Sequence, residues 1–158
     1  MALACLLYIH RVSETTTVST VTQSYVESGK LHSLQEHDIP DYVSILRIHG
    51  PFLFGTTGKL MEETHDLDRF GPIVILRLRN MNAIDATGVH ELEKLAARLK
   101  RSGRTLLLCG ARPQPRKFLR RADFLEHIGA RNIQPHVQAA LARAAELHAE
   151  GAERKPSA

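Results

Sequence analysis

Residues 85–88, Asp85-Ala86-Thr87-Gly88, set a carboxylate, a methyl, a hydroxyl and a glycine in a row ahead of a helical pattern. Three chemistries suit such a set. Carboxylates and hydroxyls at a helix start accept the unpaired backbone N–H groups of the first turn. A hydroxyl at an exposed turn can take a phosphoryl group from a kinase. A glycine lets a second backbone approach closely. Here Thr87 is read as the side chain that caps the helix, and Asp85 as an acceptor of backbone N–H bonds beside it. Gly88 is read as keeping the turn open to another backbone. Asp85, Ala86, Thr87 and Gly88 thus form a candidate docking or nucleotide-binding turn, against the plainer reading of a capped helix start.

Other reactive chemistry lacks its residues. The chain has no Gly-x-Ser-x-Gly, no His-Glu-x-x-His and no phosphate-cradling Gly-Lys loop, since Gly58-Lys59 lacks the upstream glycine. The nine histidines are scattered singly, and His90, close to the turn, falls on a solvated helix face. Cys5 and Cys109, the two cysteines, lie in apolar runs with no histidine at metal-ligand spacing. They read as buried, reduced thiols of a reducing compartment. No catalytic residue, metal site or obligatory cofactor is predicted.

Charge offers one more candidate. From Arg98 to Arg121 there are bases and no acid. Within that stretch Arg112, Arg116, Lys117, Arg120 and Arg121 form a candidate face for anionic lipid headgroups or the phosphates of a nucleotide, against the alternative of a solvated helix surface. Nucleic acid is not the expected partner. The formal net charge is only +4, with 21 Lys and Arg against 17 Asp and Glu, and Phe118 alone interleaves the basic residues.

The elements that must position these residues follow from periodicity. "YVSILRIH" (42–49) is a strand stopped by Gly50-Pro51, and "IVILRL" (73–78) and "TLLLC" (105–109) are near-continuous apolar runs of strands covered on both faces. A helix is expected from Thr56 or Thr57 to about Asp68. A second carries Val89, Leu92, Leu95, Ala96 and Leu99 as a stripe up to Gly103. Pro113 and Pro115 open a third, with Phe118, Leu119 and Ala122 inward. Gly129 ends a short fourth, "ARNI" (130–133) is a short edge strand, and Pro135 opens the last helix through about His148. Strand and helix alternate, so the fold class is α/β, with four to five helices packed on the sheet.

Upstream, residues 13–24 are β-branched and read as extended, and 25–41 read as a linker, so 13–41 is assigned as an extended segment and linker. Met1–Ile9 carries no charge and precedes His10-Arg11. It is too short to span a bilayer alone. It is either the tail of a transmembrane helix or an amphipathic start that packs on the domain.

"YVSILRIHGPFLFGTTGKLMEE", "IVILRLRNMNAIDATGVHELEKLAARLKRSGRTLLLCG" and "FLEHIGARNIQPHVQAALARA" together resemble a STAS domain, the cytoplasmic C-terminal domain of bacterial SulP-family anion transporters. The likeness covers about residues 42–148, and "LLYIHRVSETTTV" resembles the exit from that family's last transmembrane helix. The resemblance implies a STAS-type mixed β-sheet over 42–148 and a transmembrane remnant over 1–12; the terminal stretch 149–158 is read as a disordered tail. It also implies a non-catalytic regulatory role at the cytoplasmic face of the bacterial inner membrane. The partner so implied is the transmembrane domain of the same transporter, with a homodimer, a regulatory protein and a bound nucleotide left open. The other STAS branch, the free-standing anti-sigma factor antagonists, carries Asp-Ser-[Ser/Thr]-Gly at this turn and is phosphorylated on the serine after the aspartate. Ala86 stands there in this chain, so no phosphorylation is expected at the turn.

Overall fold

The computed structural model describes residues 14–21 and 39–153. The reading of the 1–12 remnant, and that of the 25–41 linker up to residue 38, lie outside these residues. Five strands, β1 (Thr17–Val21), β2 (Val43–His49), β3 (Ile73–Arg77), β4 (Thr105–Cys109) and β5 (Ile133–Gln134), form one sheet in sequence order. β1 pairs antiparallel with β2, and every later pair is parallel. Helices α1 (Gly58–Glu63), α2 (Ala86–Arg101), α3 (Pro113–Arg121) and α4 (Phe124–Ile128) lie in the crossovers, and α5 (Val137–Glu153) follows β5. The expected mixed α/β sheet with packed helices is the fold observed.

Strand parity explains the two layers. Right-handed crossovers between successive parallel strands put their helices on one face. On that face Leu46, Val74, Leu76, Leu106 and Leu108 meet Leu92, Leu95, Leu119 and Phe124 of the crossover helices. The alternate residues Ile45, Ile75 and Leu107 meet Val137, Ala140 and Ala144 of α5 on the other. Both faces are dry, so the central strands carry no polar alternation.

The boundaries differ from the sequence expectation at four places, one of them the last strand, which is Ile133–Gln134 because residues 130–132 form a 3-10 turn. The sheet begins at Thr17 and not near Tyr42, because β1 pairs along the length of β2. Its outer edge is served by α1: the Thr20 N–H donates to Glu63 Oε1 (2.9 Å), and Lys59 Nζ donates to the Thr16 carbonyl (2.6 Å). These side chains take up groups that an edge strand would otherwise offer to another chain. α1 stops at Glu63, short of Asp68, where the Thr64 hydroxyl donates back to the Leu60 carbonyl (2.6 Å). At the far end α5 continues helical to Glu153, into the stretch expected to be disordered. No helix among the described residues is long and apolar enough to cross a membrane.

Cys109 ends β4 fully buried, as expected. Burial raises its thiol from the ordinary 9.0 to about 11, against a smaller opposing pull from Arg77. The unfolded chain therefore ionises this thiol first. The stability that Cys109 contributes is intact below about pH 9 and declines as pH rises to about 11. Chemical denaturation at successive pH values should show wild type losing up to about 2–3 kcal/mol more over this window than Cys109→Ala. Equal pH slopes for the two proteins would contradict the burial argument.

Candidate functional site

Three loops meet at the C-terminal ends of the parallel strands, where ligands and partners of open α/β sheets gather. The first, residues 50–57, follows β2. The second, 78–85, follows β3 and runs into α2. The third, 110–112, follows β4 and runs into α3. Backbone bonds lace the first to the second: Gly50 N–H donates to Asn80 O and Phe52 N–H to Ala83 O, both at 2.9 Å. Phe52 and Ile84 form a parallel bridge. From α3, the Gln114 amide reaches back to Ile84, accepting from its N–H (3.1 Å) and donating to its carbonyl (3.0 Å).

Asp85 holds the junction. Its backbone is extended (φ −111°, ψ −177°), as an N-cap requires, and Oδ1 accepts from the Gly88 N–H at 2.8 Å. Its second oxygen, Oδ2, accepts from the Phe54 N–H at 2.9 Å. One carboxylate thus caps α2 and tethers the loop after β2.

Gly88 is buried, and its role differs from the expected open turn. A Cβ there would stand 2.5 Å from the Phe52 carbonyl oxygen and 2.8 Å from Ile84 Cγ1. The second backbone that Gly88 admits is the chain's own. Thr87 also departs from expectation. It lies inside the first turn of α2, and its hydroxyl makes no hydrogen bond among the described residues; the cap is Asp85. Ala86 is exposed and Thr87 half-exposed, so the surface of the turn is a methyl and a free hydroxyl.

Two exposed apolar residues escaped the sequence reading. Phe54 is 74% exposed and sits beside Asp85, and Met61 of α1 is 52% exposed. Met61 lines a groove of about 270 Å³ between α1 and α2 with Thr64, Glu91, Lys94 and Arg98. The signal for Phe54 was present in "FLF": three apolar residues in a tight loop between Pro51 and Gly55 cannot all turn inward.

The predicted basic face divides in two. Arg116, Lys117, Arg120 and Arg121 lie exposed along the outer side of α3, while Pro115 and Leu119 face the core. Arg116 borders a cavity of about 250 Å³ with Leu125 and Ile133. Arg112 turns away to the strand ends, where its Nε donates to the Arg79 carbonyl (2.9 Å). No group of three His, Cys, Asp or Glu among the described residues could hold a metal ion.

The family model described as STAS domain matches residues 35–140. A crystal structure of a sulfate transporter family protein from Wolinella succinogenes is similar at 32% identity and a TM-score of 0.67, over 75% of this chain and 96% of that one. The STAS domain of a SulP transporter from Vibrio cholerae is similar at 25% identity and a TM-score of 0.61, over 72% of this chain and 88% of that one. An anti-sigma factor antagonist from Mycobacterium paratuberculosis shares the fold at 13% identity and a TM-score of 0.59, over 80% of this chain and 92% of that one. The search of curated proteins returned no match.

Substitutions at the turn separate its roles. Asp85→Ala removes the cap and the tether together and should cost about 2 kcal/mol in denaturant unfolding. Gly88→Ala drives a methyl into the Phe52 carbonyl and should cost about 2–3 kcal/mol. Thr87→Ala removes no bond and should change stability by less than about 0.5 kcal/mol. A Thr87→Ala cost near that of Asp85→Ala would return the cap to Thr87.

Proposed function

This chain belongs to the STAS domain family, and on that premise we propose that it is the non-catalytic regulatory domain of a SulP-type secondary anion transporter, working at the cytoplasmic face of the bacterial inner membrane. The observation that carries this reading is the 32% identity to a sulfate transporter family protein over nearly all of that protein's chain. The turn supports it. An antagonist switched by phosphorylation needs a hydroxyl after the aspartate, and Ala86 supplies a methyl. Asp85 and Gly88 then hold a surface of constant shape, with Phe54 beside it. In this role the surface from Phe54 through Ala86 to His90 receives a partner protein or the transporter's own membrane domain. Exposed aromatic residues on a rigid base suit such docking.

One observation favours a second reading, the free-standing antagonist regulated by phosphate. The Thr87 hydroxyl makes no bond among the described residues and is half-exposed, so it remains chemically available to a kinase.

Fractionation of the native host, with detection by an antibody to this domain, tests the two. The transporter reading predicts detergent-dependent release from membranes of a polypeptide longer than these 158 residues, without phosphate on Thr87. A soluble species carrying stoichiometric phosphate on Thr87 by mass spectrometry would replace it with the antagonist reading.

A further inference from the structure

A second feature of the strand ends lies on the other face of the sheet, away from the α2 turn. Across β2, β3 and β4 the register sets Arg47 beside Arg77 and Arg77 beside Cys109. These positions share the parity of Ile45, Ile75 and Leu107, which face α5. Beyond them Arg77, Arg79, Gly110, Arg112 and His136 line a cavity of about 420 Å³, together with the first residues of α5. Arg112 is fixed there by its bond to the Arg79 carbonyl (2.9 Å), and His136 Nδ1 accepts from the Ala139 N–H (3.2 Å), capping α5.

The charges in this cleft are of one sign. No carboxylate lines it, and none forms an ion pair with Arg47, Arg77, Arg79 or Arg112 among the described residues. Burial, and then repulsion from Arg47 and Arg79, hold the Arg77 guanidinium below its ordinary value, with Cys109 opposing. Clustered guanidinium groups without counter-charge repel one another, and an anion among them relieves that repulsion. Guanidinium forks match the oxygens of phosphate and sulfate. The start of α5 adds its positive dipole end to the same space. Gly110, at φ +71°, makes the turn here, and a Cβ on it would stand 3.4 Å from Arg79 Cβ.

We propose that this cleft is a binding site for a tetrahedral oxyanion, held by Arg77, Arg79 and Arg112 at the N-terminus of α5. The volume lies within the range of small-molecule sites, about 300–1,000 Å³, so a free sulfate or phosphate and a small phosphate ester both fit. Among the described residues the lining holds no Phe, Tyr or Trp to stack on a base, so recognition rests on the anionic group. The outer face of α3 is a different surface: Lys117, Arg120 and Arg121 do not line the cleft.

Amide NMR titration of the whole chain at constant ionic strength tests this, with sodium sulfate, sodium phosphate, AMP and sodium chloride as separate ligands. Saturable shifts at Gly110 and His136–Gln138 are expected with sulfate and phosphate and not with chloride. Arg79→Gln and Arg112→Gln, both at exposed positions, should each weaken binding by about tenfold, while Lys117→Gln with Arg121→Gln leaves it unchanged. Displacement of AMP by inorganic phosphate would assign its phosphate to the cleft. The proposal is overturned by an equal response to chloride, by shifts that do not saturate, by binding indifferent to Arg79 and Arg112, or by AMP shifts that phosphate cannot displace.

Discussion

The approach of the Phe52 carbonyl to the Cα of Gly88 is the contact on which the strand-end architecture depends. A peptide oxygen can come this close to a helix only where no Cβ intervenes. Phe52 is wholly buried among the core residues and bridges Ile84, so the contact fixes the loop after β2 against the start of α2. The Asp85 carboxylate secures the same junction from the outer side through the Gly88 and Phe54 amides. Gln114 brings in α3 through both polar groups of Ile84. Three crossovers are thereby locked together at the C-terminal ends of the strands, which gives the surface they present a defined shape.

Much of this was legible in the sequence because it follows from local rules. The apolar runs in β3 and β4, the stripe on α2, the prolines opening α3 and Gly129 after α4 each carry a signal within a few residues. Asp85 as an acceptor of backbone N–H groups was legible for the same reason. The cap assignment to Thr87 failed because Asp85 and Thr87 both suit a helix start, and the choice rests on backbone conformation: extended at Asp85, with α2 already begun at Ala86. Gly88 was legible as a close-approach residue, but its partner lies far back in the chain at Phe52. β1 was readable as extended and unreadable as part of the sheet, since its pairing with β2 spans the intervening linker.

The two sides of the strand ends differ in chemistry. Around α2 the surface sets the exposed apolar groups Phe54, Ala86 and Met61 among charges of both signs, with Glu91, Lys94 and Arg98 lining the Met61 groove. Towards α5 it is a cleft of guanidinium groups. The division follows from strand parity: residues that alternate along β2 and β3 send Leu46 and Leu76 to one face and Arg47 and Arg77 to the other. The strand ends thus offer a surface suited to a protein and a cationic cleft suited to an anion, without overlap between them. The face read in the sequence from Arg112, Arg116, Lys117, Arg120 and Arg121 is split in the structure: Arg112 lines the cleft, and the other four lie on the outer face of α3.

The claim that the turn is a fixed clamp and not a switch is tested most directly by hydrogen exchange at two amides. The Phe54 N–H, in the loop after β2, and the Gly88 N–H, in the first turn of α2, share the Asp85 carboxylate. Both should exchange slowly in the wild-type chain, and both should lose protection together in Asp85→Ala while the β3 and β4 amides stay protected. Rapid exchange of the Phe54 amide in the wild-type protein, with Gly88 still protected, would mean that the loop moves independently of the helix cap and would contradict the account.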